Sequence, residues 1–268
     1  MAITGVDAAL AGMRFPRPFL KTGNTMPTAG GFRAYTPWYV GGVPGVGATP
    51  AAGVNGAALT APVAGQISRE NPASGNAHVA RFTMAVSQPG VIMLVDRLWA
   101  NSGLSATLTT AQTLTPAALP ARDIAASING DGVIAAIEWS ATGGAGTPTV
   151  TLSYTNQAGV AGRTATLVGL TAPVTGTVEF FALQAGDTGI QSIQSYTASA
   201  TRTSGTFHLV LYRIINILEI NLSNTGNALD VLTGSMPRVL NDSVLQVLFV
   251  NTSTSQANFT GTYVETHG

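Results

Sequence analysis

The sequence predicts an all-β protein: an antiparallel β-sandwich of jelly-roll type with an extended N-terminal arm. Three observations carry this. Short apolar and Thr-rich runs recur from Gln66 onward at the spacing of a sandwich or barrel. Period-two alternation is clear in Val133, Ala135, Ile137 and Trp139 and again in Val150, Leu152 and Tyr154, so one face of each strand is buried. The intervening turns, such as Gln88-Pro89-Gly90, Asn129-Gly130-Asp131-Gly132, Gln157-Ala158-Gly159 and Gly186-Asp187-Thr188-Gly189, supply residues tolerant of positive φ.

Residues 1–65 read as the arm. From Gly23 to Gly65 the chain is mostly Gly, Ala, Pro and Thr, with Gly41–Gly47 its most flexible piece and no helical or alternating period. Arg14, Phe15, Arg17, Phe19, Phe32, Arg33, Tyr35, Trp38 and Tyr39 stud this region. Aromatics and arginines are the usual interface anchors, so these are the expected partner-binding residues. The alternative use of the aromatics is to cover the chain's own sheet.

Residues 66–268 read as the β domain, with strands expected near 77–86, 90–99, 105–115, 133–141, 147–156, 163–170, 174–183, 189–199, 206–222, 244–251 and 258–265. Helix is scarce: 121–127 offers one or two turns, and 229–240 is interrupted by Gly234 and Pro237.

Charged residues make up 9% of the chain against 45% apolar, and Lys21 is its one lysine. A soluble chain ordinarily carries about a quarter charged residues, so this surface must be largely Thr, Ser, Asn, Gln and Gly. Such a surface costs little to desolvate against neighbours, which points to an assembly subunit. Formal net charge is zero and the arginines are scattered, so no nucleic-acid partner is expected. Cysteine is absent, which removes disulfides and thiolate metal sites. Met1 to Met13 lacks the pattern of a secretory signal, and the apolar runs 91–95 and 207–222 are too short or too interrupted to span a bilayer, so no membrane partner is expected either.

Catalytic signatures are missing. A P-loop needs a lysine behind its glycines, and Lys21 follows Phe19-Leu20. His78, His208 and His267 are far apart in sequence and no Gly-x-Ser-x-Gly elbow occurs. His208 reads as a strand residue with an ordinary hydrogen-bond partner and His267 as an exposed tail residue. Glu138 and Glu179, set in strong strand patterns, could pair as glycosidase carboxylates, but edge-facing charges are the simpler reading. Trp99 and Trp139 read as core. No enzyme activity, cofactor or metal is expected, and the four Asn-x-Ser/Thr sequons at Asn221, Asn241, Asn251 and Asn258 read as chance.

The run from Thr147 to Ala165, TPTVTLSYTNQAGVAGRTA, is similar to sequences of tailed-bacteriophage virion structural proteins. Asp96-Arg97-Leu98 with Leu104-Ser105 and Thr109–Thr113, and Leu183–Ile193, resemble the same group. These pieces span about Asp96 to Ile193, and they are strand and turn sequence. The resemblance implies a capsid decoration or cement protein, made in the host cytoplasm and placed on the outer capsid surface. Its partners would be the major capsid protein and copies of itself, as a homotrimer or other symmetric oligomer. A tail, collar or fibre component, or a glycan-binding adhesive module, is the alternative.

Overall fold

The computed structural model describes residues 3–27, 33–50, 56–115, 118–126, 129–233 and 236–268. A short helix α1 (Val6–Ala11) is followed by β1 (Arg17–Asn24), β2 (Arg33–Tyr35), a 3-10 turn (Pro37–Tyr39), β3 (Gly42–Val43) and β4 (Ala57–Ala58). Next come β5 (Ala77–Val86), β6 (Gly90–Asn101), β7 (Gln112–Thr113), α2 (Ala121–Ala125), β8 (Val133–Trp139), β9 (Thr149–Asn156) and β10 (Arg163–Val168). The chain ends with β11 (Thr177–Phe180), β12 (Ile190–Ala198), β13 (Phe207–Ile220), β14 (Thr225–Asp230), β15 (Arg238–Val239), β16 (Leu245–Asn251) and β17 (Ala257–His267).

The centre is a closed antiparallel ring: β13 pairs β8, β8 pairs β11, then β2, β16 and β6 follow, and β6 returns to β13. Closure leaves these strands without an open edge. One outer flank of the barrel is covered by the sheet β10-β9-β12-β7, the other by β14-β5-β17-β1-β3 with β15 beside β5. The chain is thus all-β, antiparallel and sandwich-like, as the alternation predicts.

Strand periodicity sorts the side chains into three cores. Ala135, Ile137 and Trp139 of β8 and Leu209 and Leu211 of β13 point out of the barrel onto Leu152, Tyr154, Ile193 and Tyr196. Ile92, Leu94, Val247 and Phe249 point out on the other flank, onto Phe82, Met84, Phe259 and Tyr263. The alternate residues, including Met93, Val95, Ala136, Val178, Val210, Tyr212 and Leu248, fill the barrel. Trp99 and Trp139, each 1% exposed, are core as expected.

The segment read as an arm runs extended along and into this body. β1 pairs β17 from Arg17↔Tyr263 to Asn24↔Ala257, and β2 is the barrel strand between β11 and β16. The seam β2/β16 rests on one strand pair, Phe249↔Tyr35. It needs Gly176 beside it: φ there is +89°, Thr36 N donates to Gly176 O at 2.7 Å, and a Cβ would meet Thr36 O and the Tyr35 ring at 2.6 Å. Gly176→Ala is expected to lower stability by about 2–4 kcal/mol in urea unfolding, combining positive-φ strain with overpacking.

Other departures have local reasons. Of the strand expected at 105–115 only β7 forms, because Gln112 folds back to Ser105, accepting from its N at 2.9 Å and donating to its O at 3.0 Å. Residues 225–230 form a strand that the sequence did not suggest, and 238–239 are strand within the stretch 229–240 read as interrupted helix.

Candidate assembly surface and buried charge network

Twelve basic and twelve acidic residues are present, all within the described segments, and seven are exposed: Asp7, Arg14, Glu70, Arg81, Asp131, Glu219 and Arg238. Most of the others are turned inward and paired. Arg122 makes a two-point fork to Asp96, at 2.9 and 2.8 Å. Arg69 and His267 hold Glu265, at 2.9 and 3.1 Å. Asp187 takes Arg163 at 2.9 Å, Asn156 at 2.8 Å and the Tyr154 hydroxyl, and these contacts, the Arg163 bond first, hold its pKa down at about 2. Arg213 binds Asp123, whose other oxygen accepts Gly130 N at 2.8 Å.

The densest group lies inside the barrel. Glu138 of β8 accepts Tyr39 OH at 2.6 Å on Oε1, and Arg97 Nη1 at 2.6 Å, Tyr212 OH at 2.5 Å and Gln246 Nε2 at 3.0 Å on Oε2. Burial alone pushes this carboxyl up, but the Arg97 charge and the hydrogen bonds from Arg97, Tyr212 and Tyr39 outweigh it and hold the pKa at about 2. Arg97 stacks over Trp38 at 5.2 Å and Tyr212 at 5.9 Å. His208, the cross-strand neighbour of Glu138, is fully buried, and neither ring nitrogen has a partner among the described residues. Burial lowers its pKa to about 4, against the pull of Glu138.

Four expectations are corrected here. Glu138 and Glu179 are buried rather than edge-facing, since each faces guanidinium and neutral donors; Glu179 accepts Trp139 Nε1 at 2.9 Å and Leu170 N at 2.5 Å, and burial raises its pKa. His208 lacks its ordinary partner. The His267 side chain is 8% exposed, because Arg14 Nε donates to its Nδ1 at 3.1 Å while its Nε2 meets Glu265.

The nine arm anchors divide sharply. Phe19 and Tyr35 lie in the β1/β5/β17 core, and Trp38 is 3% exposed with Nε1 on Ala48 O at 3.0 Å. Tyr39 holds Glu138, Arg33 sits 3.9 Å from Glu179, and Arg17 pairs with Glu70 at 2.7 Å. Residues so buried in their own body cannot also dock on a neighbour, which corrects the anchoring role for Phe19, Tyr35 and Trp38; Tyr39 is half-buried, with its hydroxyl committed to Glu138. Phe32 lies outside the described residues. Phe15, 83% exposed, and Arg14 beside it remain outward, and Val6 and Leu10 of α1 are exposed as well, at 44% and 51%.

The outer face of the β14-β5-β17-β1-β3 sheet carries Arg81 opposite Asp230 at one end and uncharged rows beyond them. Its register aligns Val43, Leu20, Thr260, Ala85 and Gly226 in one row and Pro18, Thr262, Thr83 and Ala228 in the next. Sequence reasoning did not find this face, because β1, β3 and β14 were not recognised as strands. No helix among the described residues is long and apolar enough to cross a membrane.

No known protein-family profile and no curated protein sequence matches this chain. Among solved structures it is similar to the infectious bursal disease virus VP2 subviral particle, at 10% identity and TM-score 0.24 over 96% of this chain and 80% of that one. The infectious bursal disease virus Gx strain structure gives 10% identity and TM-score 0.21 over 94% and 80%, and the T=1 particles derived from that virus 9% and 0.19 over 96% and 79%. Superpositions this loose carry no argument about fold or role.

Proposed function

We propose that this chain is a non-enzymatic structural protein of a virion, most specifically a capsid decoration or cement subunit that contacts the shell and copies of itself. The observation that carries the reading is the inward turn of its charges: only seven of 24 charged residues are exposed, so most of the surface is made of hydroxyl, amide, glycine and isolated apolar groups. Such a surface loses little on desolvation and gains from close packing on flat neighbours. All three tryptophans are buried, which removes the usual stacking platform of a glycan-binding module and favours the shell over the adhesive reading. With the N-terminal segment part of the body, the contacts fall to the sheet face through Leu20 and Thr260 and to the exposed Phe15.

Phe15→Ser tests this. The wild-type chain is expected to co-sediment with virus particles on a density gradient. The variant should keep its circular dichroism spectrum and shift at least tenfold toward the free fractions, since an exposed aromatic anchor is worth about 2 kcal/mol or more at an interface. Wild-type protein found wholly in the free fractions contradicts the reading.

A further inference from the structure

The end of β17 carries a second cluster of charges, away from the barrel. Arg14 Nε donates to His267 Nδ1 at 3.1 Å, and His267 Nε2 lies 3.1 Å from Glu265 Oε2. Arg69 Nε and Tyr263 OH donate to Glu265 Oε1 at 2.9 and 2.8 Å, and alongside them Arg17 Nη2 donates to Glu70 at 2.7 Å. The charged and titratable groups around the imidazole are therefore Arg14 from the loop after α1, Arg69 and Glu70 from the loop before β5, Arg17 from β1, and Glu265 and Tyr263 from β17 itself. Ala77 of β5, directly opposite His267, is apolar.

These contacts select one form of the ring. A guanidinium only donates, so Nδ1 must offer Arg14 a lone pair. The ring proton then sits on Nε2 and points at the Glu265 carboxylate, which accepts it. Neutral imidazole satisfies both neighbours. A proton added at Nδ1 sets an N–H against the Arg14 N–H, and it raises the cluster from three cations beside two carboxylates to four. One cation must move. Arg69, its side chain 1% exposed, is held by Glu265 and by Asn71 Oδ1 at 2.7 Å, and Arg17 is held by Glu70. Arg14 is exposed, and His267 is the partner that holds its side chain among the described residues. Its backbone has separate ties: Arg14 N donates to Glu265 O at 2.8 Å and His267 N donates to Gly12 O at 3.0 Å, bonds that a ring proton leaves intact.

We propose that His267 is an acid-operated switch on the Arg14 side chain: neutral, it pins the guanidinium to the end of β17, and protonated, it keeps Glu265 and expels Arg14 into solvent beside the exposed Phe15. In acid the patch around Phe15 gains a freed guanidinium and a new imidazolium charge. The inference concerns the isolated chain and does not depend on the virion reading.

Nitrogen-15 NMR of the full chain at pH 8 and pH 5 tests it, with near-UV circular dichroism checking that the fold is the same at both. At pH 8 the His267 ring should show a bare Nδ1 and a protonated Nε2. At pH 5 both nitrogens should carry protons, and the Arg14 Nε order parameter should fall by about half while that of Arg69 Nε holds. His267→Asn, whose amide oxygen takes the place of Nδ1 as an acceptor at either pH, should abolish the pH dependence. A protonated Nδ1 at pH 8, a ring still neutral at pH 5, an Arg14 side chain equally rigid at both, or an equal acid change in His267→Asn would each overturn the switch.

Discussion

A chain beginning at residue 66 is expected not to fold. Without the N-terminal segment the barrel loses β2 and stands open between β11 and β16, and β17 loses its neighbour β1. Phe19, Met26, Tyr35 and Trp38, all under 5% exposed, leave with it. At about 1.5–3 kcal/mol for each large apolar side chain, the loss is about 6–12 kcal/mol. That equals the whole net stability of an ordinary domain, about 5–15 kcal/mol. Near-UV circular dichroism and gel filtration should show an aggregated or expanded chain without fixed aromatic environments. A monomeric truncation with the native near-UV spectrum would mean that the segment is dispensable.

The second large effect lies in the barrel. Arg97→Met leaves the fully buried Glu138 carboxylate without its cation and is expected to cost about 3–5 kcal/mol in urea unfolding. Combining it with Glu138→Leu should recover most of that loss, because an apolar pair removes the uncompensated charge as well as the bridge. The pH profile follows from the same pair. The Glu138 pKa is depressed in the fold, so its contribution is fully present above the unfolded value of 4.5 and is lost as pH falls through about 2. His208, also depressed, is neutral in the fold, and its contribution begins to fall away earlier, below about pH 6.5. Acid unfolding of the wild type should therefore start near pH 6.5 and steepen below pH 4.5. In Arg97→Met the lower step should shift toward higher pH.

Most strands after Gln66, β14 and β15 excepted, were legible because runs such as β8, β9 and β16 alternate or are apolar, and their burial follows that pattern. The N-terminal strands were not, for a specific reason. β1 does alternate inward at Phe19 and Lys21, but the inward position after phenylalanine is held by the chain's one lysine, whose ammonium is satisfied by two carbonyls. A charged residue at an inward position cancels the alternation that identifies a strand. β2 and β3, at three and two residues, are too short to show any period. The barrel network was hidden for a related reason: Arg97, Glu138 and the His208 to Tyr212 stretch of β13 lie far apart in sequence, and a lone charge in a strand looks the same whether it faces an edge or a buried partner. Closure of the barrel depends on long-range pairing that one sequence does not display.

Electron cryomicroscopy of the particles with which the chain co-sediments tests the central claim most directly. The account predicts repeated copies of one body on the outer shell, residues 17–24 and 33–48 inside that body, and Phe15 seated against a neighbour. A segment 1–65 reaching across adjacent subunits away from its own β domain, or density confined to a tail or fibre, would contradict it.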